Sequence, residues 1–257
     1  MKWVFDKAID AVMSIWTLAT TIVYTVILGI PTIFVAMVSK TGKAPFTIGK
    51  LWSWLILKTN RVKLQVEGLE KIVRNKSYVF ISNHASNLDP PALCLAIPQT
   101  LRFIAKRSLA KVPIFGQALK LGRIILIDRS DNQKAVETIN KAIKDLKDGI
   151  SAFFFAEGTR SPDGMLQAFK KGGIMVALKT KLPIIPITVV DSYKLLPRNA
   201  LRIRPGVLRI IIGDPIDTSG YTEDDKDFLV QKVRDVIADT LKRYSVIYQS
   251  QVRKFAG

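Results

Sequence analysis

The sequence predicts an α/β domain with a mainly parallel β-sheet flanked by helices, preceded by an N-terminal helical membrane-anchoring motif. Three observations predict it. Beyond about residue 60, short apolar runs alternate with amphipathic stretches, the pattern of strands and helices taken in turn around a parallel sheet. Several of those runs are continuously apolar, as in strands covered on both faces. Before residue 60, no residue from Ala11 to Ser39 is charged. The change in composition divides the 257-residue chain into an anchor over 1–60 and an α/β domain over 61–257.

The uncharged stretch exceeds the ~18 apolar residues that mark a transmembrane candidate. Ser14, Thr17, Thr20, Thr21, Thr25 and Thr32 dilute it, and Gly29-Ile30-Pro31 predicts a kink or a break. A second apolar piece, Phe46 to Leu57, follows a polar turn and is too short to span a bilayer. All 4 tryptophans (Trp3, Trp16, Trp52 and Trp54) lie in this region, and tryptophan favours the headgroup level. Two or three helices that enter one leaflet or lie in the interface fit these features. A single span over 11–38 and a buried hairpin of a soluble core are the alternatives. Mixed charges at Lys2, Asp6, Lys7 and Asp10, with no small-residue cleavage site, make a secretory signal a poor fit.

Strands are expected at 62–66, 78–82, 101–105, 123–127, 151–155, 184–190 and 207–212, from their apolar and β-branched content. Helices are expected at 90–97, where prolines suit a first turn, and at 131–147, where apolar residues recur at helical spacing up to Gly149. A short helix at 173–180 follows a glycine pair. A longer one from Thr222 to about Tyr244 starts with acidic residues at its positive end.

Lys and Arg total 39 against 21 Asp and Glu, a net charge of +18 that points to an anionic partner or, more plainly, to a solvated surface. One cysteine and one histidine exclude an intrachain disulfide and argue against a Cys/His zinc site, so no metal is expected. Cys94, inside the apolar Ala92–Ile97 run, reads as core packing.

The chemistry-bearing segment is Phe80-Ile-Ser-Asn-His-Ala-Ser-Asn-Leu-Asp-Pro90. A buried strand ends in a polar cluster and a proline-started helix follows. His84 lies at the carboxyl end of that strand, where open α/β sheets place ligands. Asp89 is close enough in sequence to hold one imidazole nitrogen and leave the other as a base. On the residues alone, a helix-capping turn built from Asn83, Ser86 and Asp89 explains the segment equally well.

The run Asn83–Asp89 resembles the His-x4-Asp signature of the glycerolipid acyltransferase family. Gly122–Arg129, Phe155–Ser161 and Pro183–Ile187 resemble the second, third and fourth blocks of that family, in the same order. Ala105-Lys106 with Pro113–Gly116 resembles the segment between the first two blocks. The similarity covers about residues 60–215. It is nearest the branch that acylates 1-acylglycerol-3-phosphate, and it implies a bacterial-type enzyme on the cytoplasmic face of the cell membrane.

The resemblance implies roles. His84 takes the proton of an acceptor hydroxyl as that oxygen attacks an acyl thioester, and Asp89 aligns the imidazole. Asn83 and Ser86 structure the loop. Lys106, Arg129, Glu157, Gly158, Thr159 and Arg160 hold the acceptor, the guanidinium groups matching a phosphate. Glu157 orients an arginine or binds the glycerol; Arg129 has capping the strand as its alternative. No cofactor is needed: the donor is acyl-CoA or acyl-acyl carrier protein, and the partners are membrane lipids and a lysophospholipid acceptor. Lys170–Gly173 reads as an anion site at a helix start or as solvated surface. Lys194–Arg209, where cations interleave with leucines, reads as a membrane-facing stretch or as a basic loop and edge strand. A non-catalytic lipid-binding protein does not require the His84/Asp89 pair, and no nucleic-acid motif accompanies the charge.

Overall fold

The computed structural model describes residues 2–128 and 130–255. Two helices come first, α1 (Lys2–Val38) and α2 (Lys43–Thr59). The α/β part follows as β1 (Val62–Glu67), β2 (Val79–Ser82), α3 (Asp89–Ala96), β3 (Thr100–Lys106), α4 (Phe115–Leu121), β4 (Ile125–Ile127), α5 (Asn132–Ala142), β5 (Ile150–Phe155), α6 (Gly172–Thr180), β6 (Ile184–Val190), α7 (Ser192–Leu195), β7 (Gly206–Ile212), α8 (Lys226–Tyr244) and α9 (Val246–Phe255).

The 7-stranded sheet has the order β1-β7-β6-β2-β5-β3-β4, and β6 with β7 is its antiparallel pair. β1 and β7, parallel to each other, therefore run against the other five strands. From β2 the chain leaves toward β3, on the β5 side, and from the adjacent β6 it leaves toward β7, on the other. Such a switch point opens a crevice at the carboxyl ends of the strands.

Both sheet faces are covered, which explains why β2 reads as continuously apolar. Phe80 joins the core under α2 and α3, with Phe153, Ile185 and Leu208. Its neighbours Val79 and Ile81 turn to the opposite core, under α5, α6 and α8. Phe80 stacks on Phe153 with 6.2 Å between ring centroids.

The expected break at Pro31 does not occur: α1 runs through it. Proline removes one N–H from the helix ladder, and hydroxyls nearby bond back along it, Thr32 to the Leu28 carbonyl at 2.6 Å and Thr25 to that of Thr21 at 2.7 Å. The threonines that dilute the segment also tie it to α2. Thr17 donates to Asn60 Oδ1 at 2.9 Å, and Trp52 Nε1 donates to Thr25 at 3.1 Å. From Phe5 to Val38, α1 is long and apolar enough to cross a membrane by length and composition, and only 17% of its most apolar window is buried. Thirty-seven residues make a rod of ~55 Å, well beyond the ~30 Å core of a bilayer.

The hairpin is fastened at both edges of the sheet. Near the amino-terminal edge, Arg102 Nη2 donates to the Thr41 carbonyl and Lys43 Nζ to Asp148 O at 2.9 Å. At the carboxyl edge, Asn60 leads into β1.

Other boundaries shift modestly. The helix expected at 131–147 ends at Ala142 and tightens into a 3-10 turn through Asp145. The strand expected from Arg123 starts at Ile125, because Arg123 takes a left-handed φ of 64°. Helices α4, α7 and α9 were not expected.

Candidate active site

β2 delivers the polar cluster to the carboxyl edge. Asn83 locks the strand end to β6 with a two-way amide contact: its Nδ2 donates to Val189 O and its Oδ1 accepts from Val189 N, both at 2.9 Å. The next residue is therefore held in register with the sheet. His84 projects there with its side chain 14% exposed, its ring stacked on Phe155 at 3.9 Å between centroids.

Asp89, the first residue of α3, curls back on the loop and is fully buried. Its Oδ2 lies 2.7 Å from His84 Nδ1 and also accepts the N–H groups of Ala85 at 2.8 Å and Ser86 at 2.9 Å. Such an oxygen meets the imidazole as an acceptor, so Nδ1 carries the hydrogen and Nε2 is left with a lone pair. Ser86 is a loop brace: its hydroxyl donates to Leu196 O at 2.8 Å and accepts from Leu88 N at 3.1 Å. Both partners of that hydroxyl are backbone groups, so it is engaged in holding the loop.

The Glu157 carboxylate is 4% exposed, and among the described residues it forms no ion pair. One oxygen accepts the backbone N–H of His84 at 2.9 Å and the other that of Gln167 at 3.2 Å. The Ser161 N–H meanwhile donates to His84 O at 2.7 Å. The 157–161 turn thus grips the backbone of His84 from both sides. Burial pushes the Glu157 carboxyl up to about 7, against the pull of those two N–H groups.

Gly158 makes the turn possible with φ 71°, and a Cβ there would lie 2.9 Å from the Lys170 side chain. Thr159 is exposed. Arg160 Nη1 donates to Arg198 O at 2.7 Å. Burial and the neighbouring Arg198 lower the Arg160 pKa, and Asp89 acts in the opposite sense, so this guanidinium lies within electrostatic reach of the pair. Lys106 is exposed at the end of β3. The registers Phe103↔Phe153 and Phe80↔Phe153 set it level with Asn83, two strands away, or ~10 Å across the sheet. Arg129 lies outside the described residues. Lys171, in the basic pair before α6, is engaged with Asp227 at 2.7 Å.

An apolar cavity of about 340 Å³ lies on the α5/α6/α8 side of the sheet and reaches Phe155 and Gly158. Ile81, Ile104, Ile139 and Phe154 line it, and Lys170 stands at its edge. Phe155, shared by this cavity and the His84 stack, was given no role in the sequence; its place at the head of the third block, where an apolar strand ends, is the signal that was available. Cys94 packs against α2, and burial raises its thiol to about 12, which leaves it inert.

A family model described as Acyltransferase matches residues 63–190, which include His84, Asp89, Lys106 and the 157–161 turn. The chain is 35% identical over 196 residues to the chloroplastic 1-acyl-sn-glycerol-3-phosphate acyltransferase of Arabidopsis thaliana, covering 76% of this chain and 53% of that protein. It is 31% identical to the 1-acyl-sn-glycerol-3-phosphate acyltransferase of Limnanthes alba over 76% of this chain and 67% of the relative. The chain thus spans from about half to two thirds of the length of these relatives. Among solved structures, PlsC, the 1-acyl-sn-glycerophosphate acyltransferase of Thermotoga maritima, superposes with a TM-score of 0.78 at 25% identity, over 92% of this chain and 96% of that one. With 31% identity over two thirds of one such enzyme and the fold of another, the chain belongs to the acyltransferase family that includes the 1-acyl-sn-glycerol-3-phosphate acyltransferases.

Proposed function

We propose that this protein transfers a fatty acyl group from an acyl thioester to the sn-2 hydroxyl of 1-acylglycerol-3-phosphate, giving phosphatidic acid, with His84 as general base. The observation that carries the reading is the 2.7 Å contact between His84 Nδ1 and a fully buried Asp89 at the carboxyl edge of the sheet. An alcohol is a poor nucleophile until its proton is removed. Nε2 takes that proton as the acceptor oxygen attacks the thioester carbonyl carbon. The imidazolium that forms faces the Asp89 carboxylate. When the C–S bond breaks, the departing thiolate takes the proton back from Nε2. Proton and acyl group are both accounted for without an acyl-enzyme, so both substrates are bound at once.

Arg160, Lys106, Thr159 and Arg129 bind the acceptor phosphate, and Gly158 lets it approach the backbone. The apolar cavity beside Phe155 and Gly158 takes an acyl chain. Residues 1–60 are the membrane anchor and 61–257 the catalytic domain. α1 rests in or along one face of the bilayer with its exposed Ile15, Trp16, Ile22, Ile27 and Phe34 in lipid. Acyl substrates then reach the site by partitioning into the membrane rather than by crossing water.

The test is an activity panel on pure protein, pairing acyl-CoA or acyl-acyl carrier protein with 1-acylglycerol-3-phosphate, glycerol-3-phosphate and other lysophospholipids. The highest kcat/KM is expected with 1-acylglycerol-3-phosphate. A clear preference for another acceptor would reassign the reaction within the family, and no transfer to any would refute it.

A further inference from the structure

The segment Leu196–Arg204, between α7 and β7, makes three attachments that have no common purpose in folding alone. The Leu196 carbonyl accepts the Ser86 hydroxyl at 2.8 Å, inside the His84–Asp89 loop. The Arg198 carbonyl accepts Arg160 Nη1 at 2.7 Å. Arg202 pairs through Nη1 with Asp10, in the first turns of α1. One loop thus touches the catalytic loop, the candidate phosphate-binding arginine and the membrane anchor.

It is also firmly built. Ile203 is 4% exposed in the core, Arg204 N donates to Leu195 O at 2.8 Å, and Ala200 N donates to Pro197 O at 3.1 Å. From that base Leu201 stands out at 61% exposure, with Arg198 and Arg204 exposed on either side. No acidic residue occurs from Ser192 to Gly213. An outward leucine between arginines matches the boundary of an anionic bilayer, where the apolar group enters and the cations meet lipid phosphates.

We propose that Leu196–Arg204 is a second membrane-contact element, which seats Leu201 and the flanking arginines in the surface of an anionic bilayer and so fixes the depth of Arg160 and Ser86 relative to it. The proposal rests on the membrane seating of α1 given above. Continuity selects lipid over a soluble partner. Asp10, held by Arg202, immediately precedes the exposed Val12, Ile15 and Trp16 of α1, so the loop and that face meet one surface. An acceptor drawn from the bilayer would then present its phosphate at headgroup level, beside an arginine already held there.

Site-directed nitroxides test this in the full-length protein with Cys94→Ala. Labels go at Leu201→Cys, at Val23→Cys on α1 and at Glu137→Cys on α5. Collision with oxygen and with a polar nickel chelate is measured with and without phosphatidylglycerol/phosphatidylcholine vesicles. The expected result is a shift toward oxygen at 201 and 23 and none at 137. A label at 23 in lipid with 201 in water overturns the loop contact and leaves the seating of α1 standing. Labels at 23 and 201 both in water overturn the seating and the loop proposal together. A response at 201 to acidic acyl carrier protein alone overturns the proposal in favour of protein docking.

Kinetics supply the second readout. In the Leu201→Ser/Arg204→Ser variant, losing one interfacial cation weakens vesicle partitioning on the order of fivefold. The apparent KM for vesicle-borne acceptor should rise by at least that factor at unchanged kcat. A short-chain acceptor dispersed as monomers should be acylated as by the wild type. A variant with wild-type KM on anionic vesicles contradicts the proposal.

Discussion

Replacing Asp89 by Asn isolates what its charge does. The side chain keeps its shape, and an amide oxygen can still accept from Ala85 N and Ser86 N, now at 2.8 and 2.9 Å. The carboxylate facing the imidazole is lost. With His84 Nδ1 and Asp89 Oδ2 2.7 Å apart, the charge centres of an imidazolium–carboxylate pair lie ~4 Å apart. At an effective dielectric near 20 that attraction is about 4 kcal/mol, present in the transition state, where the imidazole is charged, and absent in the ground state. A loss of 4 kcal/mol is about a thousandfold in rate. kcat should therefore fall by about that factor, with the KM for either substrate little changed. Initial rates on purified protein measure it, with circular dichroism and Tm checking that the fold persists. Rates within tenfold of wild type would refute the argument that Asp89 stabilises a charge on His84.

Three more outcomes follow from the same geometry. Glu157→Gln places an amide N–H₂ against the N–H of either His84 or Gln167, so kcat should drop by tenfold or more, read against an unchanged KM. Glu157 should also make wild-type stability depend on pH. Its folded pKa of about 7 lies above the ordinary 4.5, so its contribution is complete below about 4.5 and is lost as pH rises through 7, an effect of roughly 3 kcal/mol. Denaturant titrations from pH 4 to 8 should show that decline in wild type and a flatter profile in Glu157→Gln. Ile139→Trp, in the wall of the apolar cavity, should shift donor preference toward shorter acyl chains at a stability cost of about 1–3 kcal/mol, measured by competition between thioesters of different length.

What the sequence could reveal followed the range of the forces involved. The strands were legible because a sheet covered on both faces demands unbroken apolar runs such as Val79–Ser82 and Ile184–Val190. Their order was not, since nothing local in β2 states that β5 and β6 flank it. Helix α9 carries a local signal in Ser245, which caps it by accepting the N–H of Tyr248 at 3.0 Å. Helix α4 is a two-turn piece too short for a clear period. Within the site, His84 and Asp89 are five residues apart and their meeting could be argued from the loop alone. The contacts of Glu157 to His84 and of Arg160 to Arg198 join segments brought together only by the fold. That is why the sequence suggests a substrate contact for Glu157 but not its bonds to the His84 and Gln167 N–H groups.

If the His84 imidazole removes the acceptor proton, His84→Ala should abolish transfer. The ring is 14% exposed at the sheet edge, so its removal should leave a folded protein. Initial rates with an acyl thioester and 1-acylglycerol-3-phosphate should fall below detection in this variant while its circular dichroism spectrum matches wild type. Turnover within tenfold of wild type would contradict the account.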